Sequence, residues 1–124
     1  MSSGEERDDA PILDSAVVDS LRELGGEDDP GLLLELVGLF LAEAPTYVED
    51  ILAGVEGDDL DRVRRASHAL KSSSANMGAA SLSTLARSIE SSAKAADLDL
   101  LRDDTSALGG VYRRTVEALE DLGR

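Results

Sequence analysis

The sequence has no cysteine, only three aromatic residues and a single histidine among its 124 residues. Without cysteine, the chain has no disulfide, no thiol nucleophile and no thiolate metal ligand. Its longest uninterrupted apolar run extends from Leu36 to Ala42, far short of the roughly 20 residues that a membrane-spanning helix needs. These absences exclude covalent cross-links, thiol chemistry and a membrane span.

Positive charge is also scarce, because 12 Lys and Arg residues face 26 Asp and Glu residues, giving a formal net charge of −14. This charge repels nucleic acid and anionic lipid, so we expect a protein partner. The hydrophobic fraction of 42% is nevertheless sufficient for the core of one small domain. The first nine residues are acidic and polar, unlike a signal peptide, which predicts a cytoplasmic location.

The hydrophobic pattern is helical throughout. Residues 1–11 show no periodicity and are interpreted as a flexible N-terminal lead, and residues 12–124 as one domain. In that domain apolar residues recur three and four positions apart, and no stretch alternates with a period of two. Five such segments begin near Asp14, Pro30, Leu60, Leu82 and Leu98. They predict an all-α fold, an antiparallel up-and-down four-helix bundle with a short N-terminal extra helix.

Local signals suggest how two of the helices are built. Asp28 or Asp29 is expected to cap the second helix, with Pro30 at its first position, where a missing N–H is tolerated. A bend is expected near Pro45 in the same helix. Gly109–Gly110 predicts a kink or local break in the last helix, because each glycine costs about 1 kcal/mol relative to alanine.

His68 lies in the middle of the third helix. With about 100° of rotation per residue, it points roughly 130° away from the apolar stripe and should face solvent. Residues three and four apart are neighbours on a helix surface, and the surroundings of His68 are Arg64, Arg65, Lys71, Ser72 and Ala75. This positive patch suits an imidazole that receives a dianionic phosphoryl group, with Lys71 and Arg64 pairing with its oxygens. The competing interpretation is ordinary helix surface.

The segment Ala66–Ala79, ASHALKSSSANMGA, resembles the signature H-x-L-K-G-S-S-x-x-x-G-A of histidine phosphotransfer (HPt) domains. The resemblance covers residues 13 to about 102. It implies that His68 is the phosphoacceptor on a four-helix bundle and that Lys71 helps to hold the phosphoryl group. It also matches Glu90 to a residue that hydrogen-bonds the unphosphorylated ring nitrogen and fixes the tautomer. The alternative for Glu90 is an exposed i,i+4 pair with Lys94.

The chain departs from the family pattern in two places. Ser72 stands where the family has glycine directly after the lysine, beside the imidazole, which bears on transfer rate and partner choice. Gly109–Gly110 falls where the family's last helix carries good helix formers, which concerns stability.

The resemblance implies a phosphoryl carrier of a bacterial multistep phosphorelay, without kinase activity of its own. Its expected partners are receiver domains and a hybrid sensor histidine kinase. No intrinsic cofactor is expected, because Mg²⁺ would be held by the receiver, and the chain is expected to act as a monomer. One rival is a helical scaffold that binds a receiver without phosphotransfer. Another is the phosphoacceptor domain of a chemotaxis kinase, which further domains would follow, whereas this chain ends at Arg124.

Other candidate sites have weaker support. The acidic group Asp58, Asp59 and Asp61 lacks the spacing of a calcium loop, and aspartate is common at a helix N-terminus, so we assign no metal. The serines at 72–74 have no second histidine to act as their base. The Gly-Gly pairs lack the Lys-Ser/Thr of a phosphate-binding loop, so no nucleotide site is predicted.

Overall fold

The computed structural model describes residues 11–123, and within that range it contains helices joined by short turns and no strand. The helices are α1 (Ser15–Gly25), α2 (Leu32–Glu56), α3 (Leu60–Asn76), α4 (Ala80–Ala95) and α5 (Leu98–Asp121). The four long helices form a closed bundle, since α2 packs on α3, α3 on α4, α4 on α5, and α5 on α2. The all-α fold predicted from the sequence, with its short N-terminal extra helix, is confirmed. No helix in the described range is both long and apolar enough to span a membrane.

The core is built from the apolar stripes of all five helices. Burial of aliphatic side chains supplies most of the free energy that holds the bundle together, at about 25 cal/mol per Å² of apolar surface removed from water. The largest side chains with almost no exposure are Ile51, Leu70, Leu82, Ile89, Leu101, Leu108 and Leu119. The stripe of α3 fixes the rotation of that helix, and therefore the direction of its outer face.

Helix α1 lies across one end of the bundle. The side chain of Asp14 caps it by accepting a hydrogen bond from the Ala16 N–H, and the Asp14 N–H donates to the Gly78 carbonyl over 2.7 Å. Residues 1–10 of the predicted flexible lead lie outside the described residues. Its last residue, Pro11, is held in place, because its carbonyl accepts from both the N–H and the hydroxyl of Ser81.

The turn between α2 and α3 sets the start of the helix that carries His68. Asp59, rather than Asp58, caps α3, with Oδ1 accepting from the Arg62 N–H over 3.1 Å. Gly54 lets the end of α2 approach α3 closely, since a Cβ there would lie 2.7 Å from Cγ2 of Val63. The aspartates of this turn thus include a helix cap, as the sequence suggested.

The predicted start of α2 is wrong. The helix begins at Leu32, and its N-cap, Gly31, has no side chain to cap it, so neither Asp28 nor Asp29 serves as the cap. Asp29 and the next three residues instead form a turn in which the Leu32 N–H donates to the Asp29 carbonyl over 3.1 Å. Pro30 at the second position and Gly31 at φ −87°, ψ −2° fit a type I turn.

Of the kink or local break predicted at Gly109–Gly110, the break is wrong, because α5 continues unbroken from Leu98 to Asp121, and the kink stays a prediction. Leu108 and Thr115 are fully buried on either side of the glycines. Packing of these flanking side chains outweighs the helix propensity cost of two glycines. Helix α2 likewise runs through Pro45 without ending, and the bend there stays a prediction.

The spacing of three and four residues places Leu24, Ala96 and Leu98 on the inward stripes of their helices, but all three are exposed. Leu24, at the end of α1, is 73% exposed, and Leu98, at the start of α5, is 41% exposed. Both occupy a terminal turn, where the neighbouring helix no longer covers the stripe. The periodicity therefore gave the correct face for the middle of each helix but not for these ends.

Two buried serines of α3 differ in whether their hydroxyl groups are hydrogen-bonded, and together they test what an unpaired hydroxyl costs in the core. Both are fully buried, but the Ser67 hydroxyl donates to the Val63 carbonyl over 2.7 Å, whereas the Ser74 hydroxyl has no partner among the described residues. A buried unpaired hydroxyl costs about 1–3 kcal/mol. We expect Ser74→Ala to raise the free energy of unfolding by about 1 kcal/mol and Ser67→Ala to leave it unchanged or lower it. Urea denaturation measures both, and a destabilised Ser74→Ala variant would contradict the expectation.

Candidate functional site

His68 projects from the middle of α3 into solvent, in the direction that the helical period predicts. Its side chain is 61% exposed, while its neighbour Ser67 and the following Leu70 are fully buried. The same packing that buries the inner face of α3 therefore presents the imidazole on the outer face. A large reactant can reach the ring without any movement of the helix.

Glu90 of α4 contacts the imidazole ring of His68 on the side that faces α4. Its side chain is only 7% exposed, and its Oε2 lies 2.8 Å from Nδ1 of His68. Its Oε1 accepts a hydrogen bond from Nζ of Lys71 over 2.7 Å. Packing of α3 against α4 thus places a histidine, a lysine and a nearly buried glutamate in one hydrogen-bonded chain.

The ion pair between Glu90 and Lys94 that the sequence suggested is also present, in addition to the hydrogen bonds of Glu90 with His68 and Lys71. Nζ of Lys94 lies 3.7 Å from Oε2 of Glu90, one turn along α4. The carboxylate is buried, however, and it contacts His68 and Lys71 at shorter distances. Glu90 therefore contacts both the His68 ring and Lys94, so the two interpretations made from the sequence do not exclude each other. The pair with Lys94 does not lie on an exposed face, because the side chain of Glu90 is nearly buried.

The electrostatics of the site keep Glu90 ionised. The hydrogen bond from Lys71 is the main cause that lowers the pKa of Glu90 from 4.5 to about 2, against the opposing effect of burial. The hydrogen bond to His68 and the charges of Lys71 and Lys94 lower that pKa further. An ionised carboxylate only accepts hydrogen bonds, so Nδ1 of His68 must carry the proton between them. In the neutral ring, Nε2 then carries the free lone pair.

Two predicted contact residues, Arg64 and Arg65, are already paired with a carboxylate. Asp61 binds both, with Oδ1 at 2.7 Å from Nη2 of Arg64 and Oδ2 at 3.2 Å from Nε of Arg65. The hydrogen bond from Arg64 and the charge of Arg65 hold the pKa of Asp61 below its usual range. The i,i+3 and i,i+4 spacing could have revealed this pairing from the sequence. Lys71, unlike the arginines, is joined to the ring through Glu90.

The remaining predicted residues lie on the same surface. Ser72 and Ala75 are both exposed on α3, one and two turns beyond His68. A groove that no motif in the sequence indicated runs along the other flank of α3, against the adjoining surface of α2. Nη2 of Arg62 lies 2.7 Å from Oδ1 of Asp50 across it. The groove is lined by Tyr47, Asp50, Arg62, Arg65, Ala66 and Ala69. It could not be found from one helix alone, because two helices contribute its walls.

Comparison with known proteins agrees with the resemblance in the sequence. The family model described as Hpt domain matches residues 35–122. The phosphorelay protein LuxU of Vibrio vulnificus strain YJ016 is 37% identical over 103 residues, which cover 82% of this chain and 87% of that protein. The phosphorelay protein LuxU of Vibrio cholerae is 30% identical over 101 residues, covering 82% and 86%.

The fold has solved counterparts as well. The histidine-containing phosphotransfer protein B of Pseudomonas aeruginosa PAO1 superposes with a TM-score of 0.79 at 23% identity, over 90% of this chain and 93% of that one. At this identity the likeness concerns the fold alone. The match of the family model over most of the chain and the sequence identity to the Vibrio proteins carry the assignment. The chain belongs to the Hpt domain family of histidine-containing phosphotransfer proteins.

Proposed function

We propose that this phosphotransfer protein carries its phosphoryl group on Nε2 of His68, between receiver-domain aspartates of a multistep phosphorelay. The observation that supports this is the 2.8 Å contact between Nδ1 and the buried, ionised Glu90. That contact fixes the tautomer in which Nε2 is the nucleophile. Because the ring is 61% exposed, a receiver can bring its aspartyl phosphate to that nitrogen.

The chemistry then needs no proton transfer. The Nε2 lone pair attacks the phosphorus of the aspartyl phosphate, the N–P bond forms, the O–P bond breaks, and the aspartate leaves as a carboxylate. Because Nδ1 keeps its proton, the phosphorylated ring carries a positive charge, which the carboxylate of Glu90 balances. In the reverse direction the N–P bond breaks as a new O–P bond forms on the next receiver, and the ring returns to the neutral form.

Lys71 supplies positive charge for the phosphoryl oxygens. Its ammonium group has three N–H donors, of which the contact with Glu90 uses one. Lys71 follows His68 by one turn, so the remaining donors can reach oxygens on the outer side of the ring. Mg²⁺ and most of the charge stabilisation in the transition state would come from the receiver, and this chain contributes no kinase activity.

The docking surface would be the outer face of α3 together with the groove against α2. On this face Arg62, Arg64 and Arg65 outnumber the two aspartates that pair with them, whereas the whole chain has a net charge of −14. A receiver's phosphorylation pocket is acidic, so the charges are complementary. The partners would be receiver domains and a hybrid sensor kinase, with the chain acting as a monomer in the cytoplasm.

The departure at Ser72 should be tolerated. Its side chain is exposed one turn beyond His68, where a receiver's loops must approach. We expect Ser72→Gly to lower the free energy of unfolding by roughly 0.5 kcal/mol, through helix propensity alone, and to leave the transfer rate equal or higher. Rapid-quench transfer assays measure the rate. A folded variant that transfers tenfold more slowly would show that the hydroxyl binds the phosphoryl group, because tenfold is about 1.4 kcal/mol, the size of one hydrogen bond.

Transfer from a phosphorylated receiver tests the function itself. The protein is incubated with Mg²⁺ and a receiver domain that carries a radiolabelled aspartyl phosphate. The labelled protein is then treated with acid and, separately, with alkali. Phosphohistidine is labile in acid and stable in alkali, which is the result expected. The scaffold alternative predicts that the receiver binds and no label moves.

A further inference from the structure

Two lysines lie near the carboxylate of Glu90, and the proposed function gives a role to only one of them, Lys71. Lys71 contacts Oε1 at 2.7 Å and is 26% exposed, whereas Lys94 stands 3.7 Å from Oε2 and is 60% exposed. In the resting protein, therefore, Lys71 makes the short contact and Lys94 a longer one. Both reach the same nearly buried group from different helices, α3 and α4.

Phosphorylation of His68 changes the charge balance around this carboxylate. A phosphoryl group on Nε2 brings a dianion close to Lys71, and the ammonium group is drawn towards it. Any lengthening of the Lys71 contact leaves a carboxylate that is 7% exposed without its principal partner. A buried charge in that condition is strongly unfavourable. The hydrogen bond from Nδ1 of His68 to Oε2 would then be the one short contact left to this carboxylate among the described residues.

Lys94 is placed to prevent this. It follows Glu90 by four residues on α4, the order of charges that is favourable along a helix. A movement of about 1 Å would bring its ammonium group to the hydrogen-bond distance typical of charged pairs. Its exposed side chain can make that movement without disturbing the core.

We propose that Lys94 is a positioning residue. It neutralises the negative charge of the Glu90 carboxylate when the ammonium group of Lys71 moves to the phosphoryl group on His68. This inference rests on the proposed function. Lys94 acts through Glu90, keeping the carboxylate on Nδ1 while the phosphoryl group is carried. Its contribution is therefore larger in the phosphorylated protein than in the resting one, where Lys94 makes only the 3.7 Å contact.

The test compares the two states of a Lys94→Gln variant. Without phosphate, the variant should melt like the wild type and show the same Nδ1–H signal of His68 in ¹⁵N NMR, because Lys71 holds Glu90. After labelling from a receiver and removal of that receiver, its phosphohistidine should hydrolyse about three- to tenfold faster. Lys94→Arg should restore the wild-type half-life. Arg113→Gln, which removes one exposed positive charge from α5, should not change it.

A double-variant cycle identifies the route of the effect. In a Glu90→Gln background there is no carboxylate to compensate, so adding Lys94→Gln should change the half-life no further. An equal shortening in that background would overturn the inference, because Lys94 would then act on the phosphoryl group directly. An unchanged half-life in the single variant would overturn it too, since Lys71 would serve both anions. A wild-type protein that takes up no label at all refutes the proposed function instead.

Discussion

His68→Gln is expected to abolish phosphoryl acceptance and to leave the fold almost unchanged. Glutamine has no nucleophilic nitrogen, so acceptance should fall to background rather than merely slow down. The ring contributes little to packing, because 61% of its side chain is exposed. Glu90 keeps its 2.7 Å contact with Lys71 after the substitution. The free energy of unfolding should therefore change by less than about 1 kcal/mol.

Label transfer and thermal melting, followed by circular dichroism, measure the two halves of this expectation on one preparation. Ser72→Gly serves as the control, since it alters a neighbouring position on the same face and should still accept phosphate. Label that persists at any other residue of a folded His68→Gln variant would end the assignment of His68.

Lys71→Met is expected to have the second largest effect, and it should act on both stability and phosphate lifetime. It removes the hydrogen bond that is the main cause of the low pKa of Glu90. Hydrogen bonds to charged groups contribute about 1.5–3 kcal/mol, so unfolding at pH 7 should require about 2 kcal/mol less. The phosphohistidine should hydrolyse about tenfold faster or more, because in the proposed function the same ammonium group also binds the phosphoryl oxygens.

The pH dependence of the unfolding free energy distinguishes loss of the Lys71–Glu90 hydrogen bond from a simple loss of packing. In the wild type, the pKa of Glu90 is about 2 in the folded protein against 4.5 as its ordinary value. Its ionised form therefore stabilises the fold fully above about pH 4.5, and that stabilisation is lost as the pH falls towards 2. The difference in unfolding free energy between wild type and Lys71→Met should narrow over the same interval. A difference that stays constant from pH 7 to pH 2 would contradict the account, and Lys71→Arg should retain most of the wild-type pH dependence.

The direction of His68 could be predicted because the helix supplies its own reference. The inward stripe of α3, including Val63 and Leu70, fixes the rotation, and a period of 100° per residue does the rest. The hydrogen-bonded chain through Glu90 could not be predicted this way. It depends on how far α4 is shifted along α3, and a single sequence does not encode that register in any local pattern. Only the resemblance to a family indicated Glu90.

The two errors in the fold have different physical origins. The start of α2 was expected at Pro30, but a type I turn that ends at Leu32 uses the backbone carbonyl of Asp29 in place of a side-chain cap. The break at Gly109–Gly110 was expected from helix propensity, which packing of Leu108 and Thr115 overrides. The first error is a choice between two local interactions, whereas in the second a local preference is outweighed by tertiary packing that the sequence window does not contain.

The most direct measurement of the central claim is the site of the N–P bond. The chain has a single histidine, so a sample labelled with ¹⁵N-histidine gives unambiguous ring signals. After phosphorylation from a receiver, we expect ³¹P–¹⁵N coupling to Nε2 of His68, while Nδ1 retains its proton and its contact with Glu90. Coupling to Nδ1, or phosphorylation without coupling to either ring nitrogen, would contradict the account.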